Sequence, residues 1–478
     1  MIHILETANK IVWGAPTLLL IIGVGLFISI YAGAPQLTLF PRALREFFIR
    51  SKPKRGTHNG TSSYRALCTA LAATVGTGNI AGVAGAITIG GAGAIFWMWV
   101  SAFFGMVTKF AEATLAVRYR VRNKNGEWIG GPMYMITNGL KKRWAPLATI
   151  YCFFGVVAAL GVGNATQVNA LLGGIHNAAD AIGVTLAENC DLVLCVCLAV
   201  LVGVVFVGGA RRIGVIAEML VPFASVLYIL LSLGVLVICR ENIGNAFLQI
   251  FVGAFQPRAV TGGIVGSIFI ALRTGSSRGV FTNEAGMGTA SIAHAGADVK
   301  HPCQQGLMGI IEVFIDTIVI CTMTALVILC SGVSVPYGVD IGVQLTLNAF
   351  SSVYGQWVNI PLAICLCSFA IATIFGWGFY GLRCAQFLFG DGVWRIFALL
   401  QSATVVLGAI LGTGTVWLLS ETVNGLMAIP NLVALLCLSP ELIRLTCEYK
   451  YQIDRLSVVG GTNENIHQCK SVRTLPNA

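Results

Sequence analysis

Two helix-length apolar stretches of this chain are interrupted by polar, glycine-rich runs where a membrane span can least tolerate them. Residues 64–89 are broken by Val75-Gly76-Thr77-Gly78-Asn79, and residues 259–290 by Arg273-Thr274-Gly275-Ser276-Ser277-Arg278-Gly279. Lipid offers no partner to an unpaired amide, so unwound backbone at membrane depth survives only where it lines a protein-enclosed cavity. A pair of such interruptions, one in each half of a hydrophobic chain, points to a transporter's binding site.

Composition agrees that most of the chain faces lipid or other spans. Of 478 residues, 56% are hydrophobic and 10% charged, against roughly 25% charged in soluble domains. The net charge of +10 sits in loops between apolar stretches, which reads as membrane topology and not as nucleic-acid binding. The fifteen Cys lie mostly inside apolar stretches without metal-like spacing, so they read as small apolar fillers. A cleaved signal peptide is not expected, because the dense basic run follows the first apolar stretch instead of preceding it.

Windows of apolar residues give about eleven spans. They fall near residues 13–33, 64–89, 93–118, 145–170, 192–209, 213–239, 259–275 (continuing past the break), 304–331, 357–389, 393–411 and 415–438. Arg42, Arg45, Arg50, Lys52, Lys54 and Arg55 follow the first span; Arg118, Arg120, Arg122, Lys124, Lys141, Lys142 and Arg143 follow the third. Arg211 and Arg212, Arg278 with Lys300, Arg395, and Arg444 with Lys450 and Arg455 follow alternate later spans, whereas the intervening loops carry Asp180, Glu188, Asp191 and Asp340. This asymmetry places the N-terminus outside and the C-terminus in the cytoplasm of a multi-pass cell-membrane protein. Residues 242–256 and 343–354 read as external amphipathic segments lying on the bundle. The expected fold class is therefore all-α: an N-terminal extra span with its loop (1–63), then five-helix repeats at 64–258 and 259–440, each opening with a broken helix, and a cytoplasmic tail at 441–478. An inverted repeat would explain why the breaks recur.

Unwinding at residues 74–79 frees carbonyls at the end of one half-helix and amides at the start of the next. The amide end attracts a carboxylate and the carbonyl end a small cation. One turn thus supplies both halves of a site for an amino acid and a coupling ion. The rival reading, that the glycines only let two helices cross closely, does not require Thr and Asn between them.

The residues at the break resemble a known pattern. Gly76-Thr77-Gly78-Asn79-Ile80-Ala81-Gly82-Val83-Ala84, Gly93-Ala94-Ile95-Phe96-Trp97-Met98-Trp99 and Gly130-Gly131-Pro132-Met133-Tyr134 are similar to successive motifs of the alanine/glycine:cation symporter family. Arg278-Gly279-Val280-Phe281-Thr282-Asn283-Glu284-Ala285-Gly286-Met287-Gly288 and Phe375-Gly376-Trp377-Gly378-Phe379-Tyr380-Gly381 extend the resemblance over most of the chain. Thr282 and Thr289 stand where the family pattern has Ser, a departure that keeps a hydroxyl. The resemblance implies sodium-coupled uptake of alanine or glycine on the leucine-transporter fold, with no cofactor. It places substrate contacts on Thr77, Gly78, Gln167, Thr373 and Trp377, with the amides near Gly78 and Asn79 taking the carboxylate. Similarity to the leucine transporter's broken helix implies one sodium site from the carbonyls of Ala72, Val75 and Ala370 with the Thr373 hydroxyl. A second would use the Thr74 carbonyl, Asn79 and the substrate carboxylate. Left open are a plain interhelical hydrogen bond for Gln167, lipid-side packing for Trp377, and Phe269 as an aromatic contact from the second break.

Ionisable residues within spans are functional candidates by default. Lys109 and Glu112, one turn apart, read as a snorkelling pair near a cytoplasmic end. Asp316 is expected either near the ion path or in an interhelical pair. Arg278 and Glu284 are expected to pair as a structural or gating contact on the cytoplasmic side, and His294 to lie in a surface loop. The expected function is a sodium-driven symporter of alanine or glycine, working as a monomer in the bilayer. A proton-coupled carrier using Asp316 or Glu284 is the alternative. A channel lacks symmetric pore helices, and an enzyme lacks any nucleophile–base set, metal spacing or Walker motif.

Overall fold

The computed structural model describes residues 2–51, 61–187, 190–256, 268–339, 341–410 and 413–458. Lys52, Lys54, Arg55, Glu188, Asp340 and the end of the expected tail, 459–478, lie outside them. Helices dominate, joined by one small antiparallel hairpin that pairs Val121–Arg122 with Trp128–Ile129. Among the described residues seven helices are long and apolar enough to cross a membrane, or up to nine if each bent pair is one span. The sequence led to about eleven spans. Two of those, Ile268–Asn283 and Trp394–Ile410, have only 16 and 17 residues here, and the start of the first of them, 259–267, lies outside the described residues.

Burial sorts the helices into lipid-facing and central ones. The apolar windows of Cys190–Val207 and Gly209–Ile238 are each 33% buried, while that of Gln356–Phe389 is 72% buried. Val193, Val200, Val204, Met219, Leu230 and Val237 accordingly point outward, which only a hydrocarbon surround makes affordable. At the centre, Gly93–Arg118 packs against Pro302–Val313 and Ile268–Asn283, and Asn359–Phe389 against Ala145–Leu160, Thr166–Ala181 and Gly209–Ile238. Glycines permit the closest approaches: a Cβ on Gly376 would meet the Ala73 amide nitrogen at 2.7 Å, so the Ser63–Thr74 helix lies backbone-to-backbone on Asn359–Phe389.

The segments expected at the outer face, Ile243–Phe255 and Val343–Tyr354, are helices lying on the bundle. Val343–Tyr354 reaches the first broken helix, where the Thr346 hydroxyl donates to the Ile80 carbonyl at 3.3 Å. At the other face the expected tail begins as a folded helix, Ser439–Val458. Lys450 Nζ donates to the carbonyls of Ala32 and Gly33 at 3.2 and 3.0 Å, at the end of the first span, where a cation also complements the helix dipole.

Candidate functional site

The first break is where the sequence places it. Ser62 caps the Ser63–Thr74 helix by accepting from the Arg65 amide at 3.1 Å. The helix ends at Val75, whose backbone is extended (φ −79°, ψ 93°). The chain resumes as a π-helical turn, Gly78–Gly82, and continues as Val83–Gly90 at 52° to the first half. Asn79 closes the gap: its Oδ1 accepts the Gly76 amide at 2.9 Å, while its own amide donates to the Gly76 carbonyl at 3.3 Å. The carbonyls of Ala72, Ala73, Thr74 and Val75 receive no backbone amide among the described residues.

Beside the break lies Thr373, on the helix Asn359–Phe389. A Cβ on Gly76 would lie 2.6 Å from the Thr373 hydroxyl. That hydroxyl is buried and has no hydrogen-bond partner among the described residues, which is costly unless something polar engages it. A buried hydroxyl beside a turn whose carbonyls are freed offers the oxygen donors that suit a hard cation. On the other side of the turn the Thr77 hydroxyl donates to Gln167 Oε1 at 2.9 Å. Gln167 follows a second π-helical turn, Gly161–Ala165. Asn164 anchors that turn by donating to the Gln401 carbonyl and the Thr404 hydroxyl at 2.7 and 2.5 Å. Such turns recur at functional sites because they release backbone groups.

Structure thus gathers Thr77, Gly78, Gln167 and Thr373 around Gly76. Trp377 lies one turn further along its helix and is 1% exposed, so it faces the interior and not lipid. Gly163 makes room for it, since a Cβ there would overlap the Trp377 side chain. Phe269 does not wall this site; it is 56% exposed and lines a separate cavity beside Trp13 and Glu421. Phe281 packs between the two halves of the core instead. It stands in a quoted motif, three residues before the Glu284 turn, and that proximity was the signal for it.

Asp316 joins the first break. Asn79 Nδ2 donates to Asp316 Oδ1 at 2.6 Å and to its carbonyl at 3.2 Å. Asp316 Oδ2 accepts from Thr317 Oγ1 at 2.7 Å, and Thr317 Oγ1 accepts from Asn283 Nδ2 at 3.1 Å. Asp316 sits on a third π-helical turn, Phe314–Cys321, so a buried carboxylate links both broken helices. Asn79 is therefore committed on both ends of its amide, which limits it as a sodium ligand.

The second break is displaced from its expected position. Ile268–Asn283 is one helix straight through Arg273–Gly279; the chain unwinds at Glu284–Gly288, with φ of 54° at Glu284, 94° at Gly286 and 79° at Gly288. Hydroxyls hold the helix through the polar run: Ser277 donates to the Thr274 carbonyl at 3.2 Å and Thr282 to that of Arg278 at 3.1 Å. Gly275 and Gly279 serve close packing on Gly93–Arg118. Arg278 and Glu284 do not pair. Arg278 meets Glu421 at 2.9 Å beside a cavity of about 280 Å³ lined by Trp13, Arg273, Phe281 and Glu421, while Glu284 Oε2 accepts from Thr289 Oγ1 at 2.5 Å.

Lys109 and Glu112 do not snorkel; both are fully buried. Glu112 Oε1 accepts the amides of Gly286 and Gly288 at 2.9 and 3.1 Å and Asn431 Nδ2 at 2.7 Å, so it caps the second break. Lys109 Nζ lies 3.3 Å from Glu312 Oε1. His294 is buried too, its Nε2 2.8 Å from Glu312 Oε2. Burial of charge demands partners of this kind, and they come from distant helices, which local spacing does not reveal.

Known proteins can now be set beside this geometry. A model of the sodium:alanine symporter family matches residues 1–458. The sodium/alanine symporter AgcS of Methanococcus maripaludis is 41% identical over 92% of this chain and 95% of its own. The probable sodium/glutamine symporter GlnT of Bacillus subtilis is 34% identical over 94% and 91%. Among solved structures, MhsT in complex with L-phenylalanine superposes with a TM-score of 0.58 at 15% identity, covering 82% of this chain and 99% of that one. That likeness shows the fold, an all-α membrane bundle of the leucine-transporter type, as expected from the sequence.

Proposed function

Because the chain belongs to the sodium:alanine symporter family and is a cation-coupled amino-acid symporter rather than an enzyme, we propose that it imports alanine or glycine with sodium through the first break. The substrate carboxylate sits on the amides at Gly78 and Asn79, where the start of the second half-helix carries partial positive charge. Gln167 and Thr77 fix its orientation, and Trp377 with Phe281 closes the pocket to longer side chains. Sodium binds between the carbonyls of Ala72, Val75 and Ala370 and the Thr373 hydroxyl. A second cation position near the Thr74 carbonyl draws on Asp316, whose carboxylate the Asn79 amide holds at the break. Ordering of the broken turn by sodium prepares the amide end for substrate, which couples the two species.

The observation that carries this reading is the buried Thr373 hydroxyl, unpartnered among the described residues, set against Gly76 next to carbonyls that receive no backbone donor among those residues. The basic loops support an N-terminus outside and a C-terminus, with Ser439–Val458, in the cytoplasm. Each half, 64–258 and 259–440, opens with a broken helix, which supports an inverted repeat rocking between outward and inward access. Glu284 and Arg278 then belong to different parts of the gate, Glu284 at the inner break and Arg278 beside the outer cavity.

Uptake of labelled alanine into proteoliposomes under an inward sodium gradient, against potassium and proton gradients, tests the proposal. Sodium-driven uptake that falls in Thr373→Ala and Gln167→Ala, with normal insertion, is the expected result. Uptake driven by a proton gradient without sodium would transfer the coupling role to Asp316, the titratable group in contact with the break. Unchanged transport in both variants would refute the site.

A further inference from the structure

A chain of buried hydrogen bonds ties the inner halves of the two broken helices together, and the substrate site does not use it. Ser63 begins the Ser63–Thr74 half-helix, and His294 ends Thr289–His294. Between them stands Gln305, on Pro302–Val313. Ser63 Oγ donates to Gln305 Oε1 at 2.6 Å. Gln305 Nε2 donates to His294 Nδ1 at 2.7 Å. An amide nitrogen only donates, so Nδ1 accepts and the imidazole proton sits on Nε2, which donates to Glu312 Oε2 at 2.8 Å. Glu312 Oε1 faces Lys109 Nζ at 3.3 Å. The five side chains are 0–4% exposed.

The last pair is fixed to a rigid part of the bundle. Gly309 brings its helix so close to Gly93–Arg118 that a Cβ would lie 2.8 Å from the Lys109 carbonyl oxygen. Ser63 and His294 sit on the broken helices, elements that alternating access must move, whereas Gln305 shares the Pro302–Val313 helix with Glu312. Separating the Ser63–Thr74 half from its neighbours leaves Gln305 Oε1 a buried, unmatched acceptor, a state disfavoured until water enters.

We propose that Ser63, Gln305 and His294 are positioning residues of the transport step, forming a bolt that holds the inner side shut and breaks when cargo leaves. The inference rests on the orientation proposed above, in which this end faces the cytoplasm.

Native Cys68 is a built-in reporter. It lies on the Ser63–Thr74 half, which packs on Gly209–Ile238, and is 1% exposed, so it gains access to solvent when that half swings away. The test uses the full chain in membrane vesicles with a membrane-impermeant thiol reagent, labelling being read on the peptide that carries residue 68. Ser63→Ala and Gln305→Leu are expected to raise Cys68 labelling from the inner face in sodium roughly fivefold, the shift that one hydrogen bond of ordinary net strength gives. The maximal uptake rate falls while KM for alanine stays within about twofold of the parent. Ser63→Thr, which keeps the hydroxyl, behaves as the parent. Labelling equal to the parent in both folded variants overturns the proposal, even if uptake is lost. Cys68 labelled solely from the outer face would refute the orientation, while the ratio between variants and parent still decides the bolt.

Discussion

Gly76→Ala tests the cation site by adding one atom. The backbone at Gly76 lies outside the left-handed region, so alanine brings no conformational strain of its own. Its Cβ would lie 2.6 Å from the Thr373 hydroxyl oxygen and 3.7 Å from Thr373 Cβ. The hydroxyl sits on a helix pressed against Ala73 and cannot retreat without turning Thr373 to another rotamer. Overpacking of this kind costs about 1–3 kcal/mol, and turning Thr373 away from Ala72 and Val75 removes a charge-assisted contact of similar size, about 1.5–3 kcal/mol. The half-saturating sodium concentration for alanine uptake should therefore rise by roughly 10- to 100-fold, at about 1.4 kcal/mol per decade. Thr373→Ala should give a comparable loss, and the double variant should be no worse than Thr373→Ala alone, because the clash and the ligand disappear together. Proteoliposome uptake across a sodium titration, at equal insertion, reads all three. A Gly76→Ala protein with unchanged sodium dependence would refute the reasoning, as would fully additive losses in the double variant.

Other perturbations separate the remaining roles. Trp377→Ala should admit longer side chains, so glutamine should compete with labelled alanine in the variant and not in the parent; an unchanged competition profile would remove Trp377 from the pocket wall. Lys109→Met leaves the Glu312 carboxylate buried beside only neutral donors and should cost about 3–5 kcal/mol, read as a lowered melting temperature in detergent, whereas Lys109→Met with Glu312→Met together should recover most of it. Glu112→Ala strands the amides of Gly286 and Gly288 and should destabilise more than Glu112→Gln, which keeps an acceptor oxygen; equal melting temperatures would contradict the capping role. Arg278→Gln should speed labelling of an Ile89→Cys reporter from the outer face, since Arg278 and Ile89 line the same cavity; unchanged labelling would leave the Glu421 pair without a gating part.

Legibility followed the range of each interaction. The first break shows in the sequence because Gly76, Thr77, Gly78 and Asn79 act within one turn and need only a local reading. Positions carried over by resemblance, Gln167 and Thr373, converge on that turn although their own neighbours say little. The second break was misplaced because Arg273–Gly279 is polar and glycine-rich, yet its hydroxyls bond back into their own helix and its glycines serve packing. A better signal was the glycine pair two residues apart, Gly286 and Gly288, which repeats Gly76 and Gly78. Lys109, Glu112, His294 and Glu312 could not be read locally, since each finds its partner on another helix, for Lys109 and Glu112 far along the chain.

An experimental structure of the chain with sodium and alanine bound tests the central claim most directly. The account predicts an unwound turn at residues 75–78, with the alanine carboxylate within hydrogen-bonding distance of the amides at Gly78 and Asn79, and a cation between the carbonyls of Ala72 and Val75 and the Thr373 hydroxyl. An unbroken helix through Gly76, or alanine bound away from that turn, would contradict it.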